Sequence, residues 1–149
     1  MLHRIKREND IHQGRWNGLG GKMEEGESPE ECVAREVKEE SGLKIGRPTL
    51  RGVLTFPGFD GKNDWIVFLF TANHFKGKLI NCDEGHLEWI KDKKLSSLHL
   101  WEGDRIFMNW LKGNQFFSAK FIYKKGKFKD HAVSFYQGDT HCKGDTHCG

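Results

Sequence analysis

The chain has 149 residues, of which 36% are hydrophobic and 12% aromatic, and this is enough for one compact domain with a sizeable core. Its longest apolar run, Trp65 to Phe70, is far too short to span a membrane. No apolar segment follows the basic start, Met1 to Arg7, so no signal peptide is visible and we expect a cytoplasmic protein without a membrane partner. The net charge of +3 suits anionic ligands but does not argue for nucleic-acid binding.

The first clear element is a helix from Ser28 to Gly42. Ser28 can cap the helix, Pro29 suits its first position, and Glu31 completes a capping box. Gly42 ends the helix, because glycine readily adopts the left-handed conformation found there. The spacing predicts two faces, an apolar one with Val33, Ala34 and Val37 and an acidic one with Glu36, Glu39 and Glu40.

The acidic face indicates a metal site next to a glycine turn. Like charges three or four residues apart repel by a few tenths of a kcal/mol per pair, and a divalent cation would reverse that cost. Carboxylate oxygens are hard ligands suited to Mg²⁺ or Mn²⁺, and magnesium binds through a few carboxylates together with substrate phosphates. For the glutamates taken alone, the alternative is a solvated surface.

The later elements alternate between strands and helices, which predicts a sheet with helices packed on it. The residues favour strands at 50–56, 64–72, 75–80 and 86–90, a turn-rich loop at 57–63, a helix at 104–111, and a hairpin of strands 116–123 and 127–136 that turns at Lys125-Gly126. The helix at 104–111 should bury Ile106, Phe107, Trp110 and Leu111.

The cysteines and the end of the chain are less informative. Four cysteines make no convincing disulfide framework here, and we expect Cys32 and Cys82 to be reduced. The stretch Gly138-Asp139-Thr140-His141-Cys142 recurs at 144–148. Two His-Cys pairs are zinc-binding residue types, but their spacing matches no familiar zinc site. We therefore expect a folded domain at 1–136 and a disordered tail, or a terminal artefact, at 137–149.

The glutamate helix and its preceding turn resemble the signature of the Nudix hydrolases. The match comprises nine fixed positions over 23 residues: Gly21, Glu27, Arg35, Glu36, Val37, Glu39, Glu40, Gly42 and Leu43. The resemblance implies an α/β/α sandwich around a mixed sheet. It also implies divalent metal and a nucleotide substrate.

The resemblance extends over roughly residues 2 to 112. The segment from Gly14 to Lys22 is similar to a loop of the MutT-type branch, which cleans oxidised purine nucleotides. Asp83-Glu84, followed by Glu88-Trp89, resembles a later acidic segment of that branch, and the stretch from Trp101 to Asp104 resembles its base-recognition turn. Relatives carry a full strand before the segment Leu2-His3-Arg4, so we expect this chain to start late and to lack the first N-terminal strand. Such a loss would expose an unpaired sheet edge.

The resemblance also implies the roles of the acidic residues. The Gly21 carbonyl, Glu36, Glu39 and Glu40 would hold one or more metal ions, and Glu84 would be a further ligand or a general base. Glu39, Glu40 and Glu84 are the candidate catalytic residues, with Glu39 and Glu84 as the alternatives for the base. Glu27, Arg35 and Gly42 are structural members of the motif, and Arg35 should pair with Glu27 to brace the loop.

Four residues are candidates for substrate binding, each with a plainer alternative. Lys22 would meet a phosphate, or is an exposed lysine. Asn17 would bond a purine edge, or serves as a turn residue. Trp101 would stack on the base, or packs in the core. Asp104 would bond the base, or caps the following helix.

The activity implied is metal-dependent hydrolysis of a nucleoside triphosphate to a nucleoside monophosphate and pyrophosphate. The branch often carries two adjacent acids where this chain has Gly103-Asp104, so a preference for 8-oxo-dGTP stays open. The alternatives are another nucleoside diphosphate derivative as substrate, or a non-catalytic domain that senses a nucleotide. Capped RNA would call for a larger basic surface interleaved with aromatic residues, which is not evident.

Overall fold

The computed structural model describes residues 1–3, 15–80 and 85–137. Glu84, Cys82 and the repeated stretch after 137 therefore lie outside the described residues. The elements in chain order are β1 (Leu2–His3), β2 (Trp16–Asn17), α1 (Pro29–Ser41), β3 (Lys44–Ile45), β4 (Thr49–Phe56), β5 (Trp65–Thr71), β6 (Phe75–Lys76), β7 (His86–Leu87), a 3₁₀ helix (Asp92–Ser97), α2 (Glu102–Trp110), β8 (Phe116–Lys124) and β9 (Lys127–Tyr136).

The chain divides into two compact units. The first unit contains Met1–Thr49 and Phe70–Phe107, and the second contains Leu50–Leu69 and Met108–Gly149. All of the predicted site residues fall within the residue ranges of the first unit. No helix in the described part of the chain is both long and apolar enough to cross a membrane.

Helix α1 forms where its capping residues predict it. The Ser28 hydroxyl accepts a hydrogen bond from the Glu31 amide at 3.1 Å, and the Ser28 amide donates to the Glu31 carboxylate at 3.3 Å. At the other end Gly42 has φ of 80°, and a side chain there would lie 2.6 Å from the Ile80 Cγ2 atom. Both the conformation and the close approach require glycine. The predicted helix is confirmed.

Short antiparallel strands accompany α1 in the first unit. One sheet has the order β2-β1-β7, and a second consists of β3 and β6. The strands predicted at 75–80 and 86–90 are much shorter in the structure, at Phe75–Lys76 and His86–Leu87. The amide of Ile80 donates to the Ser41 carbonyl at 2.9 Å. The chain therefore leaves β6 to pack at the end of α1, a tertiary contact that strand propensity cannot predict.

The second unit holds a four-stranded mixed sheet with the order β5-β4-β8-β9. Strand β4 runs parallel to β8, and β8 runs antiparallel to β9. The predicted hairpin at Lys125-Gly126 is confirmed, and the strands predicted around 50–56 and 64–72 are present within one residue at each end. Together with the helices, this sheet confirms the predicted mixed α/β class.

Aromatic side chains fill the core of the second unit. Leu54, Phe117 and Phe121 are almost completely inaccessible to solvent. The Phe56 ring stacks on the Phe121 ring with centroids 5.5 Å apart, and Trp110 meets Phe117 edge-on at 5.1 Å. Such rings bury large apolar areas and favour these offset or edge arrangements. The hydrophobic residues of β4 and β8 therefore form the core of this unit.

Helix α2 begins earlier than predicted, at Glu102 instead of Asp104. The amides of Asp104 and Arg105 both donate to the Trp101 carbonyl, at 3.0 and 3.3 Å. Asp104 therefore lies inside the first turn of the helix, and the suggested role of Asp104 as the helix cap is wrong. Of the predicted apolar face, Phe107 is buried, whereas Leu111 is half-buried and follows the helix.

Candidate active site

The glycine turn packs directly on α1. A side chain added at Gly21 would overlap the carboxyl group of Glu36, so a larger residue at this position would displace that carboxylate. The Cys32 thiol is 3.8 Å from the Gly21 carbonyl oxygen, a weak contact from the same helix. The Gly21 main chain thus lies against the Glu36 carboxylate, and carbonyl and carboxylate oxygens are both hard donors.

The three predicted metal-binding glutamates differ strongly in their exposure. We call Glu36, Glu39 and Glu40 the carboxylate cluster. Glu40 is buried and accepts a hydrogen bond from the Gly20 amide at 3.1 Å, whereas 58% of the Glu39 side chain is exposed. Glu36 lies between these extremes, with 17% of its side chain exposed. One member of the cluster is therefore fixed against the glycine turn, and another faces solvent.

Arg35 connects this cluster to the loop before α1. Its guanidinium donates to both oxygens of Glu27, at 2.5 and 3.1 Å, and also to Glu36 at 2.8 Å and Glu39 at 3.1 Å. The hydrogen bonds to Glu27 and then to Glu36 raise the pKa of Arg35. The Arg35 hydrogen bond also lowers the pKa of Glu27 to about 2. The pairing of Arg35 with Glu27 that the motif predicts is present.

The donor set of the carboxylate cluster fits a divalent ion in type. Oxygen donors from carboxylates and a main-chain carbonyl are those that hard divalent cations prefer. Within residues 1–3, 15–80 and 85–137, no three acidic, histidine or cysteine side chains already converge on one point. An ion would therefore share Glu36 and Glu39 with the Arg35 guanidinium, which contacts an oxygen of each.

A second group of residues lies at the start of α2 and on the segment 15–17, whose first two residues contact the chain just before that helix. We call Arg15, Asn17, Trp101 and Asp104 the turn cluster. The Arg15 guanidinium lies 3.8 Å from the centroid of the Trp101 ring and donates to the Leu100 carbonyl at 3.3 Å. Trp101 itself is only 6% exposed. This buried position agrees with the alternative that Trp101 packs in the core. One face of its ring carries the Arg15 guanidinium.

Two polar groups of the turn cluster are exceptional. The side-chain oxygen of Asn17 is buried and has no hydrogen-bond partner among the described residues, although such atoms are nearly always paired. Burial raises the pKa of Asp104 to about 7, and the charge of Arg15 partly opposes that shift. The turn cluster thus holds a buried acceptor with no donor among the described residues and a carboxyl group whose pKa is raised to about 7 by burial.

The remaining predicted residues contribute less to this geometry. Lys22 is exposed, and its carbonyl accepts a hydrogen bond from Arg35 at 3.0 Å. The same guanidinium binds Glu27, so Arg35 links the main chain at Lys22 to the loop before α1. Sequence reasoning missed Arg15 and the Gly20 amide as site groups. Both lie in the segment from Gly14 to Lys22 that resembles the MutT-type loop, but no spacing rule assigns them their partners.

Known proteins resemble this chain over most of its length. Residues 2–111 match the NUDIX domain. The chain is 35% identical to a Nudix hydrolase of Bacillus subtilis over 74% of this chain and 73% of that protein. It is 32% identical to the oxidized purine nucleoside triphosphate hydrolase of Mus musculus over 74% of this chain and 71% of that protein.

A solved structure extends the likeness to three dimensions. The crystal structure of the mutator MutT protein from Bacillus halodurans is similar with a TM-score of 0.79 and 30% identity, covering 89% of this chain and 86% of that chain. Nudix hydrolases generally use divalent metal ions, which agrees with the donor types of the carboxylate cluster. The chain therefore belongs to the Nudix family and is a pyrophosphohydrolase of that family.

Proposed function

We propose that this Nudix hydrolase converts an oxidised purine nucleoside triphosphate, such as 8-oxo-dGTP, to the nucleoside monophosphate and pyrophosphate. Magnesium is the proposed ion, because it binds through carboxylates together with substrate phosphates; manganese shares its preference for oxygen donors. In this proposal the triphosphate lies against the carboxylate cluster and the base against the turn cluster. Such a reaction removes damaged precursors before they enter DNA, in the cytoplasm.

The side-chain oxygen of Asn17 carries the purine assignment, because it is buried and has no hydrogen-bond partner in the described part of the chain. A buried acceptor without a partner costs about 1–3 kcal/mol, and a ligand N–H group would remove that cost. Guanine N7 is a hydrogen-bond acceptor, and oxidation at C8 turns it into an N–H donor. A site that offers acceptors therefore favours the oxidised base. The murine relative, named an oxidized purine nucleoside triphosphate hydrolase, supports the same substrate class.

The chain's own contacts organise the phosphate side of the site. The Gly21 carbonyl, Glu36, Glu39 and Glu40 would hold the ion, with Glu84 as a further ligand. When bound, a divalent ion neutralises phosphate charge and lowers the pKa of an attacking water. The Gly20 amide fixes the Glu40 carboxylate, and Arg35 fixes those of Glu36 and Glu39. Positioning and electrostatics of this kind supply most of the acceleration in phosphoryl transfer.

The proton from the attacking water goes to Glu39 or Glu84 in this proposal. A general base must reach the water, and Glu39 is the most exposed member of the carboxylate cluster. Comparing the pH profiles of kcat for Glu39→Gln and Glu84→Gln separates the two. In wild type, kcat should fall at low pH as the general base becomes protonated. The variant that lacks this base should no longer show that fall, whereas the other variant should still show it.

Lys22 and Trp101 complete the proposed substrate site. Lys22 is exposed next to the glycine turn, where its ammonium group would attract a phosphate. Trp101 would flank the base through the part of its ring that Arg15 does not cover, since one face carries the Arg15 guanidinium. The nucleotide is the only partner that this proposal requires.

A panel of nucleotides tests the proposal. The protein is incubated with 8-oxo-dGTP, dGTP, dATP and ADP-ribose, with Mg²⁺ or with a chelator, and the products are separated by ion-exchange chromatography. We expect 8-oxo-dGMP and pyrophosphate as the main products, formed only with the metal. Preferential cleavage of ADP-ribose would favour a nucleoside diphosphate derivative as substrate. Binding of nucleotides without any turnover would favour a sensing domain.

A further inference from the structure

We propose that Arg15 is a positioning residue that sets the preference of the turn cluster for an oxidised purine over its normal counterpart. The inference rests on the proposed function, because it needs a purine base at Asn17 and Asp104. It adds a residue that the nine-position motif does not contain and that touches neither phosphate nor metal in the proposed arrangement.

Arg15 holds the segment before α2 through several contacts. The guanidinium lies on the Trp101 ring at 3.8 Å, donates to the Leu100 carbonyl at 3.3 Å, and comes within 3.4 Å of the His99 ring nitrogen Nε2. The next residue continues this attachment, because the Trp16 amide donates to the His99 carbonyl at 2.9 Å. The planar, five-donor guanidinium suits a ring face and a carbonyl at once, whereas a lysine does not.

This attachment fixes Trp101 and Asp104 relative to Asn17. Arg15 and Asn17 are two residues apart on the same segment, and the Asp104 amide bonds to the Trp101 carbonyl at 3.0 Å. A side chain that holds Trp101 therefore also fixes the first turn of α2, which contains Asp104. Since hydrogen bonding depends steeply on distance and angle, a small shift of this turn would separate the two acceptors that the base needs.

The charge of Arg15 also supports recognition of the oxidised base by Asp104. Burial favours the neutral form of Asp104, and Arg15 is the charge that opposes it. The charged neighbours on α2 itself, Glu102 and Arg105, face each other at 3.8 Å. A carboxylate accepts hydrogen bonds only, whereas a protonated carboxyl group also donates one. By favouring the carboxylate, Arg15 keeps Asp104 complementary to the additional N–H group of the oxidised base.

The test compares Arg15→Met and Arg15→Lys with Arg47→Met. Methionine removes the charge and the planar donor group, lysine keeps the charge alone, and Arg47 is an exposed arginine of the same unit outside the turn cluster. Values of kcat and KM are measured for 8-oxo-dGTP and dGTP with the full chain and Mg²⁺. Thermal unfolding of each variant reports whether it folds, and Arg15→Lys carries the test should Arg15→Met fail to fold.

We expect Arg15→Met to raise KM for 8-oxo-dGTP about tenfold, a loss of ~1.4 kcal/mol, with kcat changed less than about threefold. A residue that contributes to binding and not to the chemical step has this effect. The ratio of kcat/KM for 8-oxo-dGTP to that for dGTP should fall in Arg15→Met, fall less in Arg15→Lys, and stay unchanged in Arg47→Met.

Two results overturn the proposal in different ways. An active wild-type protein whose substrate ratio is the same in both Arg15 variants would reduce Arg15 to a structural residue and leave the proposed function intact. A wild-type protein that hydrolyses neither purine triphosphate would remove the proposed function itself, and the specificity role of Arg15 with it.

Discussion

The carboxylate cluster and the turn cluster satisfy their polar groups in opposite ways. In the carboxylate cluster, every glutamate already has a protein partner: the Gly20 amide for Glu40, and the Arg35 guanidinium for Glu36 and Glu39. In the turn cluster, the side-chain oxygen of Asn17 has no partner among the described residues, and burial raises the pKa of Asp104 to about 7.

This difference between the two clusters indicates that an ion and a base would have different effects on the protein. An ion at the carboxylate cluster adds charge to groups that are already oriented, so its effect is mainly electrostatic. In the proposed arrangement, a base at the turn cluster would satisfy the Asn17 oxygen, which has no partner among the described residues, so it would mainly determine which base is bound. Variants of the first cluster should therefore change turnover, and variants of the second should change affinity and stability.

The largest expected effect is that of Glu40→Gln. Glutamine keeps an oxygen that can accept the Gly20 N–H group but removes the negative charge, so turnover should fall by about a hundredfold or more without loss of folding. Steady-state kinetics and thermal unfolding check both parts. Glu30→Gln, an exposed position in the first turn of the same helix, is the matched control and should keep full activity. Full activity in Glu40→Gln would refute the catalytic role of Glu40.

Asn17→Leu should separate function from stability. Leucine has a similar volume and no acceptor, so the cost of the unpaired oxygen disappears and the protein should become more stable by ~1 kcal/mol. The KM for 8-oxo-dGTP should rise about tenfold, because the proposed bond to the base is lost. Urea unfolding and steady-state kinetics measure the two changes. A variant that is less stable and binds as before would show that Asn17 is a structural turn residue.

Asp104→Asn should change how stability depends on pH. The pKa of Asp104 is about 7 in the folded protein, above its ordinary value of 3.8. Between these values the folded state holds a proton that the unfolded state has released, so the contribution of Asp104 to stability falls as pH rises from about 4 to 7. Asparagine does not titrate. The stability of the variant relative to wild type should therefore increase from pH 5 to pH 8 in urea unfolding, and a constant difference would contradict the raised pKa.

Glu27→Gln should have the smallest effect, with the opposite dependence on pH. Arg35 lowers the pKa of Glu27 from its ordinary value of 4.5 to about 2. The stabilising contribution of this pair is thus complete above pH 4.5 and is lost as pH falls toward 2. Thermal unfolding of wild type and variant should converge over that range. A difference that persists unchanged at pH 2 would mean that the pair does not lower the pKa of Glu27.

Local chemistry was sufficient to predict the elements whose signals lie within the element itself. Ser28, Glu31 and Gly42 set the two ends of α1, and Lys125-Gly126 set the turn of the β8–β9 hairpin. The nine-position motif likewise identified the carboxylate cluster and the Arg35–Glu27 pair. In each case the residues that decide the structure are close in sequence, so spacing and propensity are informative.

The sequence was less informative where distant residues meet. After β6 ends at Lys76, the Ile80 amide bonds to the Ser41 carbonyl at the end of α1, and at the start of α2 the Trp101 carbonyl accepts two amides. The burial of Glu40 depends on the Gly20 amide, 20 residues away. The position of Arg15 on Trp101 joins residues that are even further apart. No local rule selects such partners, and these contacts define much of the candidate site.

Titration of the protein with Mn²⁺, followed by electron paramagnetic resonance of the free ion, tests most directly that the carboxylate cluster holds the divalent ion. Wild type and Glu30→Gln should bind the ion equally, whereas Glu40→Gln should bind it at least about tenfold more weakly, because one charged oxygen ligand is lost. Equal affinity in all three proteins would place the ion elsewhere and contradict the account.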